Sequence, residues 1–171
     1  STVYSAKINT DGTIGRWNTL NTLPAARSEF QGAAYGGYLY VIGGTPDGSV
    51  AAAASTVYAA PINGNGTIGT WATLGNLPIQ MLQPGVVASN GYIFLTGGLN
   101  TSTVTLSTVY SAAIKADGTL SSWSTLNTLP GTNRLHIATA YNGYIYVAGG
   151  YTGSTVLSTV YSAKINADGT V

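Results

Sequence analysis

The chain has no cysteine, one histidine and one methionine among its 171 residues. That excludes disulfides, zinc–thiolate sites and cysteine nucleophiles, and it leaves any metal site short of ligands. Charge is equally scarce. Lys and Arg number 6, Asp and Glu 5, so 6% of residues are charged and the net charge is +1, against about 25% charged residues in ordinary globular domains. Residues 48–114 hold no side chain that is ionised at neutral pH. The basic residues stand singly, whereas phosphate backbones are bound by clusters, so no nucleic-acid partner is expected. No apolar run approaches the roughly 18 residues of a membrane-spanning helix. No secretory leader is legible. The chain begins on Ser1 rather than Met, which reads as a processed, trimmed or excerpted product.

What is present argues against disorder. The chain is 44% hydrophobic, with 12 Tyr and 23 Gly, far from the low hydrophobicity of chains that cannot bury a core. Its polar surface has to come from Thr, Ser, Asn and Gly. Such a surface has little charge repulsion to keep molecules apart. This suits an extracellular, cell-surface or assembled protein, and that is the location expected.

The dominant feature is repetition. STVYSAKINTDGT (1–13) returns near the end as STVYSAKINADGT (158–170), differing only at Thr10 and Ala167. Ser-Thr-Val-Tyr also starts at Ser55 and Ser107, so the steps are 54, 52 and 51 residues. Trp17, Trp71 and Trp123, the pairs Gly43-Gly44, Gly97-Gly98 and Gly149-Gly150, and the Leu-Pro pairs at Leu23, Leu77 and Leu129 keep the first two of those steps. A period near 50 residues points to a propeller or a repeat array.

Each repeat reads as four strands. The first is small and apolar (31–35, 85–88, 137–140) and ends in a two-residue hairpin turn, Gly36-Gly37, Asn90-Gly91 or Asn142-Gly143, residues that tolerate the positive φ such turns require. The second, YLYVIGG, YIFLTGG or YIYVAGG, is apolar on both faces, so both should be covered. The third is STVYSAKIN and its copies, with Tyr4, Ala6 and Ile8 alternating against Ser5 and Lys7. The fourth carries the tryptophan, as in TIGRWNTL (13–20), and runs into Leu-Pro. No segment has the 3.6-residue stripe of a helix.

These residues resemble the kelch-type β-propeller repeat: an apolar strand ending in Gly-Gly, a Tyr in the next strand, a Trp in the last and a Leu-Pro link. Between Tyr4 and Trp17, Tyr58 and Trp71, and Tyr110 and Trp123 the spacing exceeds the usual kelch distance, so the chain looks like a bacterial-type variant with a lengthened outer hairpin. The resemblance implies an all-β, kelch-like propeller of about three four-stranded blades. Residues 1–21 supply strands three and four of a split blade, 28–75 and 82–127 are whole blades, and 134–171 give strands one to three of a last one. It also implies that the first strand of each blade lines a central axis. The chain then reads first as part of a longer regular array, and second as a half-propeller whose homodimer completes a six-bladed ring. Either way its expected partner is itself or neighbouring repeats. The repeated STVYSAKIN is one strand too many for the closed ring.

The resemblance places the loops after strand two and the links between blades on one face. Arg27, Glu29, Asp47, Arg134, His136 and Tyr151 fall on or near it and are the candidate ligand-binding residues, with a glycan or a protein as ligand. Asp11, Lys115, Asp117 and Asp168 fall on the other face, the three Asp as turn residues. No catalytic residue, metal site or cofactor is expected. His136 has no companion ligands, Glu29 and Asp47 sit in different loops, and the copper chemistry of galactose oxidase, another kelch-type propeller, needs a Cys that is absent here. The function expected is a non-catalytic extracellular module with a structural, adhesive or assembly role. Carbohydrate or protein binding by the long-loop face comes next. An enzyme whose catalytic residues lie in other blades is the third reading.

Overall fold

The computed structural model describes residues 1–171 and is all-β, with a single 3-10 turn at Val50–Ala52 and no α-helix. A half-blade pairs β1 (Tyr4–Ser5) with β2 (Asn18–Thr19). The second blade is an antiparallel sheet of β3 (Gln31–Tyr35), β4 (Tyr38–Ile42), β5 (Val57–Pro61) and β6 (Ala72–Thr73) in chain order. A small ribbon joins β7 (Met81–Leu82) to β10 (Leu99–Asn100). The third blade orders β8 (Gly85–Ser89), β9 (Tyr92–Thr96), β11 (Val109–Ala113) and β12 (Ser124–Thr125). The last has three strands, β13 (Ile137–Tyr141), β14 (Tyr144–Ala148) and β15 (Val160–Lys164).

The inner strands lie together, with β8 against β3 on one side and β13 on the other. Small residues permit this: Gly32, Ala33, Ala34, Gly85, Ala88, Ala138 and Ala140 keep the inner edges thin. Backbone bonds also run from blade to blade around the axis, the amide of Gln83 donating to Glu29 and that of Leu135 to Gln83. All three residues hold positive φ, 55°, 58° and 57°.

The outer hairpin explains the long Tyr-to-Trp spacing. In the half-blade the register is Tyr4↔Thr19 and Ser5↔Asn18, but then Ile8↔Ile14. The fourth-strand side therefore carries one extra residue beside Trp17, a β-bulge. The same slip recurs between Ala59↔Ala72 and Ile62↔Ile68, and between Ser111↔Ser124 and Ile114↔Leu120. The bulge cuts the ladder, so each fourth strand shrinks to two paired residues. Beyond it Asp11 accepts from the backbone amide and the hydroxyl of Thr13, at 3.0 and 2.7 Å. Asp117 and Asp168 do likewise with Thr119 and Thr170. These bonds stabilise the carboxylates and hold them below the usual Asp range.

Blades stack face to face. Tyr40, Ile42, Val57 and Ala59 of the second blade close on Met81, Ile93, Leu95 and Tyr110 of the third. Val87 and Phe94 of the third close on Ile145, Val147 and Ile165 of the last. At the outer rim, Val3 and Leu23 pack on Val41, Tyr58 and Trp71.

Two devices lock the junctions between the second, third and last blades. The first is the Gly-Gly pair, with φ of 66° and 82° at Gly43 and Gly44. The amide of Gly44 donates to the Met81 carbonyl of the next blade at 2.9 Å, and that of Gly98 to Asn133 at 2.9 Å. A Cβ on Gly43 or Gly97 would strike those same carbonyls. The pair is thus required twice over, by conformation and by close approach. The second device is the outer Asp-Gly turn, which docks on aromatic rings of the preceding blade. Gly118 lies against the Tyr38 ring, and the Tyr40 hydroxyl donates to the Gly118 carbonyl at 3.0 Å. Burial, with Tyr38 and Asp117 nearby, pushes the Tyr40 hydroxyl up to about 12. Gly169 lies against Tyr92 in the same way.

Candidate interaction surfaces

On the long-loop face one polar line crosses three blades. Glu29 accepts from the side-chain amide of Gln83, whose carbonyl oxygen accepts from the Arg134 guanidinium at 3.0 Å. The backbone bonds that step from Glu29 to Gln83 to Leu135 set this spacing, because these residues occupy the same place in successive repeats. The Arg134 guanidinium sits 5.1 Å from the Tyr151 ring centroid, within cation–π range. The backbones of Arg134 and Tyr151 also bond each other, at 2.9 and 3.1 Å.

The other expected residues separate from this line. Arg27 turns toward the blade rim, donating to Thr56 at 2.7 Å and to the Tyr58 hydroxyl at 3.2 Å, over the Tyr58 ring. Asp47 is exposed and bonds within its own loop, to the Thr45 hydroxyl and the Ser49 amide. Those bonds hold its carboxyl below the usual range. His136 is buried between the third and last blades, its Nε2 2.8 Å from the Thr96 hydroxyl. Burial lowers its pKa to about 4, so the ring is neutral. The Nε2 also lies where a Cβ on Gly85 would stand.

Two residues of this face escaped the reading of the sequence. Gln83 links Glu29 to Arg134, and its place one repeat beyond Glu29 was the available signal. Asn133 is fully buried, donating to the Gly149 carbonyl and accepting from the Tyr151 amide. It stands where earlier repeats have Arg27 and Met81. The loop face therefore holds a hydrogen-bonded polar strip with one stacked cation, Arg134, whose Nε is buried without a partner, and its two carboxylates, Glu29 and Asp47, are each held by their own partners.

A second, apolar surface lies on the last blade. In the register of that sheet, Ile137, Thr139 and Tyr141 of β13, Tyr144, Tyr146 and Ala148 of β14, and Val160, Ser162 and Lys164 of β15 share one face. Ile137, Tyr141 and Val160 are 70%, 77% and 66% exposed. Val57 and Val109, the counterparts of Val160 in the second and third blades, are 0% and 3% exposed at the blade junctions. At the other end Tyr4, Ile8, Ile14 and Trp17 are exposed as well.

No curated protein matches the chain. A family model described as the Kelch motif matches residues 136–162, a span that runs from His136 through β13 and β14 into β15. The same Gly-Gly pair and Tyr stand at the same places in the sheets before it, so what builds this all-β, propeller-like chain is a kelch-type repeat.

Proposed function

We propose that the protein is a non-catalytic module that works at the cell surface or outside the cell, joining protein surfaces in a structural or adhesive role. Kelch repeats serve generally as interaction and structural modules. The observation that carries the reading is the apolar face of the last blade, where Ile137, Tyr141, Tyr144 and Val160 stand exposed in one sheet. A contiguous exposed apolar patch marks an interaction site. Low charge supports the same reading, since few Lys or Glu guard the sheet edges against pairing. Light scattering of the purified chain tests it. Association that strengthens with concentration and is lost in Tyr141→Lys supports it, and a monodisperse 17.4 kDa species with no partner counts against it.

A second reading is binding of a carbohydrate or protein at the loop face, favoured by Arg134 stacked on Tyr151 beside the Glu29–Gln83 pair. A glycan array separates the two: sugar binding abolished by Arg134→Ala and Tyr151→Ala supports the loop face, and a blank array leaves the blade face as the working surface.

A further inference from the structure

The links between blades differ at one position. Asn21, Gly75 and Asn127 stand at the same place in successive repeats, two residues before Leu23, Leu77 and Leu129. Asn21 crosses to the next blade. Its side-chain amide donates to the carbonyls of Ile68 and Gly69, both at 3.3 Å, and its own carbonyl accepts from the Trp71 indole at 3.3 Å. Asn127 crosses likewise, its amide donating to the Val171 carbonyl at 3.1 Å. Gly75 has no amide to offer. The matching carbonyls belong to Leu120 and Ser121, one repeat beyond Ile68 and Gly69, and Gly75 leaves them without a donor from the link. The Trp123 indole also lacks the bond that Trp71 makes.

An open cleft of about 510 Å³ separates Gly75 from Leu120, Ser121 and Trp123, and Asn76 and Ser122 line it as well. That is within the range of about 300–1,000 Å³ of small-molecule sites. Trp123 also packs on the buried cluster between the second and third blades, which holds its ring in place. A second cleft of about 460 Å³ shares Asn76 and Pro78 with the first and is lined by Gln80, Asn100 and Thr101. The two adjoin along the junction of the second and third blades. Neither has an ionisable side chain in its lining, so a charged ligand would lose water and gain no counter-charge. A neutral ligand rich in hydroxyls fits instead. Each hydroxyl can donate to a carbonyl and accept from an indole or amide N–H, and the C–H face of a sugar ring can pack on the negative face of an aromatic ring.

We propose that this groove binds a neutral oligosaccharide, one sugar ring seated on Trp123 with its hydroxyls on the carbonyls of Leu120 and Ser121, and the next toward Asn100 and Thr101. Gly75 is what opens the site. Its φ is not in the left-handed region, and a Cβ there meets nothing within 4 Å. Neither conformation nor close approach requires glycine at this position, and its effect is to keep the place of the asparagine clear. A single Asn or Gln side chain of a partner protein could answer the two carbonyls, but it would leave the second cleft unfilled. The site goes beyond the loop-face reading and uses neither Arg134 nor Tyr151.

Gly75→Asn is the direct test, because it copies the residue that bridges the first junction. The chain is screened on an array of neutral oligosaccharides built from hexoses and N-acetylhexosamines, and the best of them is titrated by calorimetry. Gly75→Asn is expected to unfold at a urea midpoint no lower than the parent's and to bind that sugar about tenfold more weakly or worse, the loss of one or two hydrogen bonds. Trp123→Phe keeps a ring and removes the indole N–H, and a loss of about tenfold is expected there too. If Gly75→Asn and Trp123→Phe both bind as the parent does, the inference is overturned, and a loss in Arg134→Ala then assigns the sugar to the loop face. A blank array overturns it as well. If Gly75→Asn instead weakens association of the chain in light scattering, the cleft belongs to a protein side chain and the saccharide is overturned. The association reading of the last blade stands or falls separately, on Tyr141→Lys.

Discussion

The third and last blades are built from nearly the same sequence and meet opposite environments. In the third blade β9 has four of five residues buried and β11 four of five, whereas β15 of the last blade reads exposed, intermediate, exposed, intermediate, exposed. The third blade has neighbours on both faces, and the last has one. Burial here is a property of position in the stack rather than of the strand: Val109 and Val160 stand in the same Ser-Thr-Val-Tyr-Ser-Ala context, and Val109 is 3% exposed against 66% for Val160.

Substitutions at matched positions turn this contrast into measurements. Phe94→Ala removes a fully buried ring at the third junction, and a loss of about 3–5 kcal/mol is expected in urea unfolding. Tyr146→Ala, its counterpart on the open face, is expected to cost about 1 kcal/mol or less, because solvent already reaches the ring. Equal losses would mean that the open face is covered in solution.

The Gly-Gly pair gives the next contrast. At Gly97 an added Cβ meets the Asn133 carbonyl, whereas at Gly149 the nearest atom is the Leu157 carbonyl at 3.6 Å. Both residues have positive φ. Gly149→Ala should therefore cost about 1–2 kcal/mol from conformation alone. Gly97→Ala should cost about 3–4 kcal/mol, since the junction must also open. Thermal or urea unfolding of the two variants measures the difference, and similar values would remove close approach from the explanation.

Acid distinguishes the buried junction from the open one more gently. His136 has a folded-state pKa near 4, below the roughly 6.5 of an unfolded histidine. The unfolded chain therefore binds the extra proton first, and stability falls as pH drops from about 6.5 toward 4. The loss for this one group is on the order of 2 kcal/mol. The turn carboxylates, whose pKa values are lowered, lose their contribution in the more acidic range. His136→Phe borrows the residue that Phe30 supplies at this place in the first full repeat. It should flatten the profile between pH 6.5 and 4 while leaving the steeper acid limb, and an unchanged profile would show that the histidine is not the group responsible.

The smallest effect expected is at the tyrosine hydroxyls. Tyr40→Phe deletes the bond to the Gly118 carbonyl and should cost about 1 kcal/mol. Tyr146→Phe should change the stability of the single chain by less than about 0.5 kcal/mol. Equal costs at the two hydroxyls would remove the Gly118 bond from the explanation.

The repeat made most of the fold legible. The inner hairpin turns, the strand pair before Gly-Gly and the outer Asp-Gly turn each carry a local rule: positive φ, apolar alternation, and a short polar side chain that bonds its own backbone. The bulge beside the tryptophan was legible only as a spacing that was too long, because one unpaired residue leaves no compositional mark. The candidate site was read less well. Glu29, Arg134 and Tyr151 meet on the loop face, but Arg27 turns to the rim, Asp47 closes on its own loop and His136 is enclosed between blades. Proximity to a face in the chain says little about which way a side chain is drawn by the next blade.

By itself the sequence determined the period, the four-strand unit, the turn types and the lack of charge, because each is set within a few residues of the chain. Only the tertiary structure decided which copies of that unit are buried. It pressed Gly97 against the Asn133 carbonyl and left Gly149, its counterpart in the last pair, with nothing nearer than the Leu157 carbonyl at 3.6 Å. It enclosed Tyr58 and Tyr110, and left Tyr4, Trp17 and the face of β14 uncovered. The physical reason is that burial in a stack is conferred by the neighbouring blade, so identical strands at its middle and its ends carry different energies.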